Sequence, residues 1–84
     1  MTDSPTEEAL RAAGRKVRTR RGELGLTQEE AAARAGVDAD TLGFLENGKR
    51  WPWPKNVAAI ARALDLDAAE LQRIADGEPA EAGT

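Results

Sequence analysis

The sequence contains no cysteine and no histidine. Those two absences exclude disulfides, thiolate nucleophiles, zinc fingers, Ser-His-Asp triads and imidazole acid/base chemistry. Aromatic residues are scarce, with Phe44, Trp51 and Trp53 the only three. No apolar run approaches the roughly twenty residues of a membrane span, and no signal peptide is expected at the start. No segment alternates apolar and polar residues as a half-buried strand would, and there is no repeat or linker. Neither a metal, a cofactor nor a membrane is an expected partner, and the expected location is cytoplasmic. What remains, at 84 residues with 40% hydrophobic and 32% charged, is one small soluble domain that must fold on its core alone.

Net charge is −3, which at face value argues against nucleic acid, whose binders usually carry a basic footprint. The sum hides a pattern. Residues 1–10 carry Asp3, Glu7 and Glu8, for −3, and residues 65–84 carry six acids against Arg73 alone, for −5. Residues 11–64 hold eleven bases and six acids, for +5. A basic centre is flanked by two acidic ends.

Three capping boxes, the Ser/Thr/Asp-x-x-Glu pattern that satisfies orphan amides at a helix start, divide the chain. Ser4-Pro5-Thr6-Glu7 opens a first helix with Pro5 at its first position, and Leu10, Ala13, Val17 and Leu24 form one face of it. That helix is expected to end near Arg21-Gly22, with a left-handed turn at Gly25. Thr27-Gln28-Glu29-Glu30 opens a second helix through Arg34, broken by Gly36. Asp38 is placed to cap a third, running to about Glu46 with Leu42 and Leu45 inward, and Asn47-Gly48 stops it. The segment Lys49-Arg50-Trp51-Pro52-Trp53 reads as extended, because residues before proline avoid the helical region. Pro54 begins a fourth helix with Val57, Ile60, Ala61 and Leu64 on one face, and Asp67-Ala68-Ala69-Glu70 begins a fifth that carries Leu71 and Ile74 and ends at Gly77. The expected fold is all-α with five helices. A flexible tail is expected at 1–4, a domain at 5–76 and an acidic tail at 77–84.

Helix two, the turn Ala35-Gly36-Val37 and helix three make a helix-turn-helix at 27–46. Small Ala32 allows close approach, Gly36 takes the strained turn position, and Val37 and Leu42 fill the wedge. The stretch LTQEEAAARAGVDADTLGFLENGKRWP, followed by VAAIARALDL, resembles the lambda repressor/Cro-type helix-turn-helix family, also called the xenobiotic-response-element family. The resemblance covers roughly residues 8–75 and implies a five-helix lambda repressor-like DNA-binding domain. By that resemblance Thr27 and Gln28 hold a DNA phosphate, in keeping with the anion affinity of a helix N-terminus. Asn47, Lys49 and Arg50 resemble a second phosphate clamp, and Ala39, Asp40, Thr41, Gly43 and Phe44 occupy the base-reading positions. Glu46 matches the family's acid that pairs with an arginine of helix one, here Arg21 by position, as a structural ion pair.

One departure stands out. Family members usually place Gln, Arg, Ser or Lys on the reading surface, whereas no side chain from 38 to 45 here makes the bidentate Arg–guanine or Gln–adenine contact. Asp40 can accept from a cytosine amino group, and Ala39, Thr41 and Phe44 can touch thymine methyls, while Asp38 and Asp40 repel phosphate. Gly43, which costs roughly 1 kcal/mol inside a helix, has two readings: close packing, or close approach of the helix to DNA. Arg11, Arg15, Lys16, Arg18, Arg20 and Arg21 form a run of one sign. It reads either as a solvated face or, in part, as a phosphate-facing surface. Trp51 and Trp53 either cap the core or form, with Phe44, a protein-contact patch. Leu71 and Ile74 are either core or a dimer surface.

Two functions compete. One is a sequence-specific DNA-binding transcriptional regulator, a small repressor of bacterial or phage type, with helix three in the major groove of double-stranded DNA and a nucleoid association when bound. Such a unit buries too little surface for high specificity, which implies a homodimer or a protein partner; an antitoxin-like role is a variant. The other is a protein-interaction module on the same scaffold with weak or no DNA binding. No titratable pair sits in a recognisable catalytic motif, so no enzyme is expected.

Overall fold

The computed structural model describes residues 5–77. Within them are five α-helices and no strand: α1 (Glu7–Glu23), α2 (Gln28–Ala35), α3 (Ala39–Glu46), α4 (Pro54–Ala63) and α5 (Ala68–Ala75). The tail expected at 1–4, with Ser4 of the expected opening box, and all but Gly77 of the tail expected at 77–84 lie outside the described residues.

The chain's own punctuation accounts for most of the helix ends. The box at α2 is complete: Thr27 Oγ1 accepts from the Glu30 N–H, and Glu30 Oε1 accepts from the Thr27 N–H. At α1 the cap is Thr6, not Ser4. Thr6 Oγ1 accepts from the Ala9 N–H (3.1 Å), and Glu7 and Glu8 fill the first turn, where the helix dipole favours carboxylates. Pro5 therefore precedes the helix. At α5, Asp67 Oδ1 accepts from Ala69 N–H, but Glu70 leaves the box for Lys16 of α1 (3.2 Å). Asp38 occupies the cap position of α3 without a side-chain bond, and Trp53 does the same at α4, where Pro54 takes the first helical position.

The end of α1 departs from expectation. It runs to Glu23, and Gly25 at φ +71 turns the chain so that the Leu26 N–H reaches back to the Arg21 carbonyl (3.1 Å). Leu24, expected on the inward face, is left exposed, while Leu26 packs against the core. Reversing direction at Gly25 exchanges which leucine is carried inward.

The core is aliphatic. Its largest fully buried side chains are Val17, Leu42, Leu45, Ile60, Leu64 and Leu71, with Ala32 and Ala61 between the helices. Helix α1 packs on α3 and α5, α2 on α3 and α4, and α4 on α5. Leu71 is only 1% exposed, so it belongs to the core and offers no dimer surface; Ile74 is also buried and reaches only the rim of a groove between α1 and α5. Trp51 is half-buried against the core, and Trp53 is exposed.

Candidate nucleic-acid interface

Helix α3 has one buried side and one free side. Leu42, Leu45 and Glu46 are buried. Asp38, Asp40, Phe44 and Asn47 are exposed, with Thr41 and Gly43 half-buried. Asp40 and Phe44 are four residues apart and therefore lie on one stripe. Ala39 is half-buried, like Thr41 and Gly43, and packs partly against the core.

Glu46 holds the inner side. Its carboxylate, 1% exposed, accepts from Arg21 Nε (2.6 Å) and Nη2 (2.9 Å) and from Gln28 Nε2 (3.0 Å). Arg21 also donates through Nη1 to the Leu26 carbonyl (2.8 Å). One buried acid thus ties the end of α3 to α1, to the start of α2 and to the turn before it. The hydrogen bond to Glu46 is the main cause that raises the Arg21 pKa above its ordinary value, against the opposing effect of burial.

This network also engages Gln28. Expected to hold phosphate through its side chain and amide, it donates one side-chain N–H to Glu46 and keeps a second. The start of α2 also offers backbone: the Gln28 and Glu29 N–H groups, which make no hydrogen bond to the described residues. The Thr27 oxygen already accepts inside the capping box.

The Gln28 carboxamide also lies against Gly43. A β-carbon built there would meet its Oε1 at 3.5 Å, an ordinary contact, so close packing does not demand glycine. Gly43→Ala is expected to raise stability by up to about 1 kcal/mol through helix propensity, measured by urea unfolding. A loss of DNA affinity in the same variant would assign the glycine to close approach of α3 to DNA.

After α3 the chain turns at Gly48, φ +68, where a β-carbon would come within 2.6 Å of Arg11 Cγ. This anchored turn brings the Lys49 and Arg50 N–H groups to the Phe44 carbonyl (2.8 and 3.4 Å) and the Arg50 guanidinium to 5.2 Å from the Phe44 ring centroid. Asn47, Lys49 and Arg50 are all exposed.

The basic run of α1 is mostly consumed inside the chain. Arg11 pairs with Glu7, Lys16 with Glu70, and Arg21 with Glu46. Arg20 meets Glu23, Asp65 and the Leu64 carbonyl. Only Arg15 and Arg18 have no ion pair among the described residues. Of the long-range pairs only Arg21–Glu46 was expected, through the family resemblance; sequence reasoning missed Lys16–Glu70 and Arg20–Asp65 because those acids lie 54 and 45 residues away in the chain. Among the described residues no acidic cluster is arranged to hold a metal, and no helix is long and apolar enough to cross a membrane.

Comparison with known proteins agrees with this geometry. The Helix-turn-helix family model matches residues 17–71. An uncharacterized HTH-type transcriptional regulator, y4dJ, of Sinorhizobium fredii is 41% identical over 59 residues, covering 70% of this chain and 77% of that protein. Another, from Methanothermobacter thermautotrophicus, is 50% identical over 48 residues, covering 57% and 70%. Among solved structures, the restriction-modification controller protein C.AhdI from Aeromonas hydrophila superposes with a TM-score of 0.69 at 35% identity, covering 74% of this chain and 94% of that one. The chain belongs to the lambda repressor/Cro-type helix-turn-helix family.

Proposed function

We propose that this chain is a sequence-specific, repressor-like transcriptional regulator that lays α3 in the major groove of double-stranded DNA. The observation that carries the reading is one exposed face of α3 with two sets of candidate phosphate donors beside it. One set is the unpaired N–H groups of Gln28 and Glu29 with Thr27, and the other is the exposed Asn47, Lys49 and Arg50 that follow α3. Phosphate contacts at two such points fix register and orientation, and the side chains of that face read bases. Asp40 accepts from a cytosine amino group, and Thr41 and Phe44 touch thymine methyls. The relatives described as HTH-type transcriptional regulators support the same role. The working unit is residues 5–76, acting in the cytoplasm as a pair of copies or beside a protein partner, since one such unit buries little surface.

Retention of duplex DNA at two salt concentrations tests this. Affinity should fall steeply with salt, and Lys49→Ala should flatten the slope of log K against log salt by about one unit. Absence of any duplex retention at low salt would overturn the proposal and leave the interaction-module reading. A specific observation favours that second reading: Trp53 is 75% exposed and Phe44 40% exposed, an aromatic surface of the kind that anchors protein partners.

A further inference from the structure

Between Ala39 and Glu46, α3 carries no Arg, Lys, Gln or Asn, so the helix by itself has no side chain for a bidentate contact to guanine or adenine. The fold carries one in from outside the helix. The turn at Gly48 and the two N–H bonds to the Phe44 carbonyl bring Arg50 back along α3, where its guanidinium lies over the exposed Phe44 ring. Asp40, Thr41, Phe44 and Arg50 line the same groove. We infer that Arg50, stacked on Phe44, serves as the guanine-reading arginine that α3 lacks, with Phe44 as its positioning residue. This rests on the DNA-binding reading above.

Three features favour base reading over a simple phosphate contact for this residue. First, the Arg50 guanidinium carbon stands 5.2 Å from the Phe44 ring centroid, a cation–π contact that engages no N–H donor and so leaves the fork that guanine O6 and N7 require. Second, Arg50 makes no ion pair with a described carboxylate, so those donors are uncommitted. Third, the ring restricts a long side chain before DNA arrives, which lowers the ordering cost of binding. The acid at position 40 then ceases to be an anomaly. Asp40 accepts from cytosine N4 and Arg50 donates to guanine, so acid and base together match the two major-groove edges of G·C pairs. Lys49, a flexible point charge beside them, is left for phosphate.

The experiment begins with selection of bound sequences from a random duplex library by the full chain. Anisotropy titrations of the selected duplex at two salt concentrations follow, with Arg50→Lys, Phe44→Leu and Phe44→Tyr. The expected result is a guanine position whose change to adenine weakens wild-type binding roughly tenfold or more. Arg50→Lys and Phe44→Leu should bring that ratio towards one without changing the salt slope, because both keep the charge. Phe44→Tyr, which keeps the ring, should retain the discrimination, and circular dichroism of each variant checks that it folds. A selected site with no guanine preference, or a preference that survives Arg50→Lys, overturns the inference while DNA binding stands. A library from which nothing is enriched or retained at low salt overturns the DNA-binding reading and the inference with it.

Discussion

Glu46→Ala is expected to destabilise the folded chain by about 3–5 kcal/mol, the cost of leaving a buried charge without its partner. Its carboxylate accepts three hydrogen bonds, two from Arg21 and one from Gln28, and its side chain is 1% exposed against 17% for Arg21. Removing it strands a guanidinium that has only the Leu26 carbonyl left and frees the Gln28 amide with no acceptor. In a chain of this size such a loss lowers Tm by roughly 12 °C or more, readable by circular dichroism. A second variant separates the pair's net worth from the penalty of an orphan. Arg21→Met with Glu46→Met should cost far less than Glu46→Ala, because no charge remains buried. A Tm for Glu46→Ala within a few degrees of wild type would show that water reaches the site and that the network does not set the end of α3. The pH dependence has a definite sign. Since the Arg21 pKa is raised, its share of the stability is fully present below the ordinary arginine value and is lost only as pH climbs past the raised one. From neutral to mildly alkaline pH this guanidinium contributes no slope.

Gly14→Ala is expected to destabilise by about 3 kcal/mol or more, at or beyond the upper end of ordinary overpacking. Helix propensity alone predicts the opposite, a gain of about 1 kcal/mol, so the sign of the change is itself the test. A β-carbon on Gly14 would overlap the Leu45 carbonyl oxygen and sit 3.1 Å from the Glu46 oxygen. These are backbone atoms at the end of α3, which cannot rotate away as a side chain would. Relief requires α3 to move off α1, and that movement stretches the Arg21–Glu46 pair and shifts the turn carrying Lys49 and Arg50. Urea unfolding gives the stability and duplex retention gives the second consequence, a loss of DNA affinity. Gly22→Ala is the control, since a β-carbon there meets nothing within 4 Å. Its stability should rise or hold, and a Gly14→Ala variant that behaves like it would show that the α1–α3 crossing has slack.

The two sites illustrate what could be seen in the chain and what could not. Glu46 and Arg21 were legible as a pair through family resemblance, although nothing in their separation of 25 residues would have joined them. Gly14 carried no signal, because an isolated glycine in a helical pattern looks the same whether it faces solvent or another backbone. Gln28 read as a phosphate ligand through family resemblance and its place at a helix start, and the bond from its side chain to Glu46 became visible only in the fold. The run from Arg11 to Arg21 read as a solvated face or, in part, a phosphate-facing surface, yet partners on α1, α3, α5 and the turn before α5 claim four of its six charges.

Local chemistry accounts for where those lines fall. Cap residues, glycine turns and apolar spacing act over three or four residues, so the chain by itself determined five helices, the helix-turn-helix at their centre, the aliphatic core and the free stripe of α3. Tertiary structure alone decided which of the charges are spent within the protein, which leucine follows Gly25 inward and which glycine meets a carbonyl. It also decided that Arg50, outside α3 in sequence, stands over Phe44 on its exposed face. Those outcomes depend on distances between segments far apart in the chain, which are set only when the helices pack.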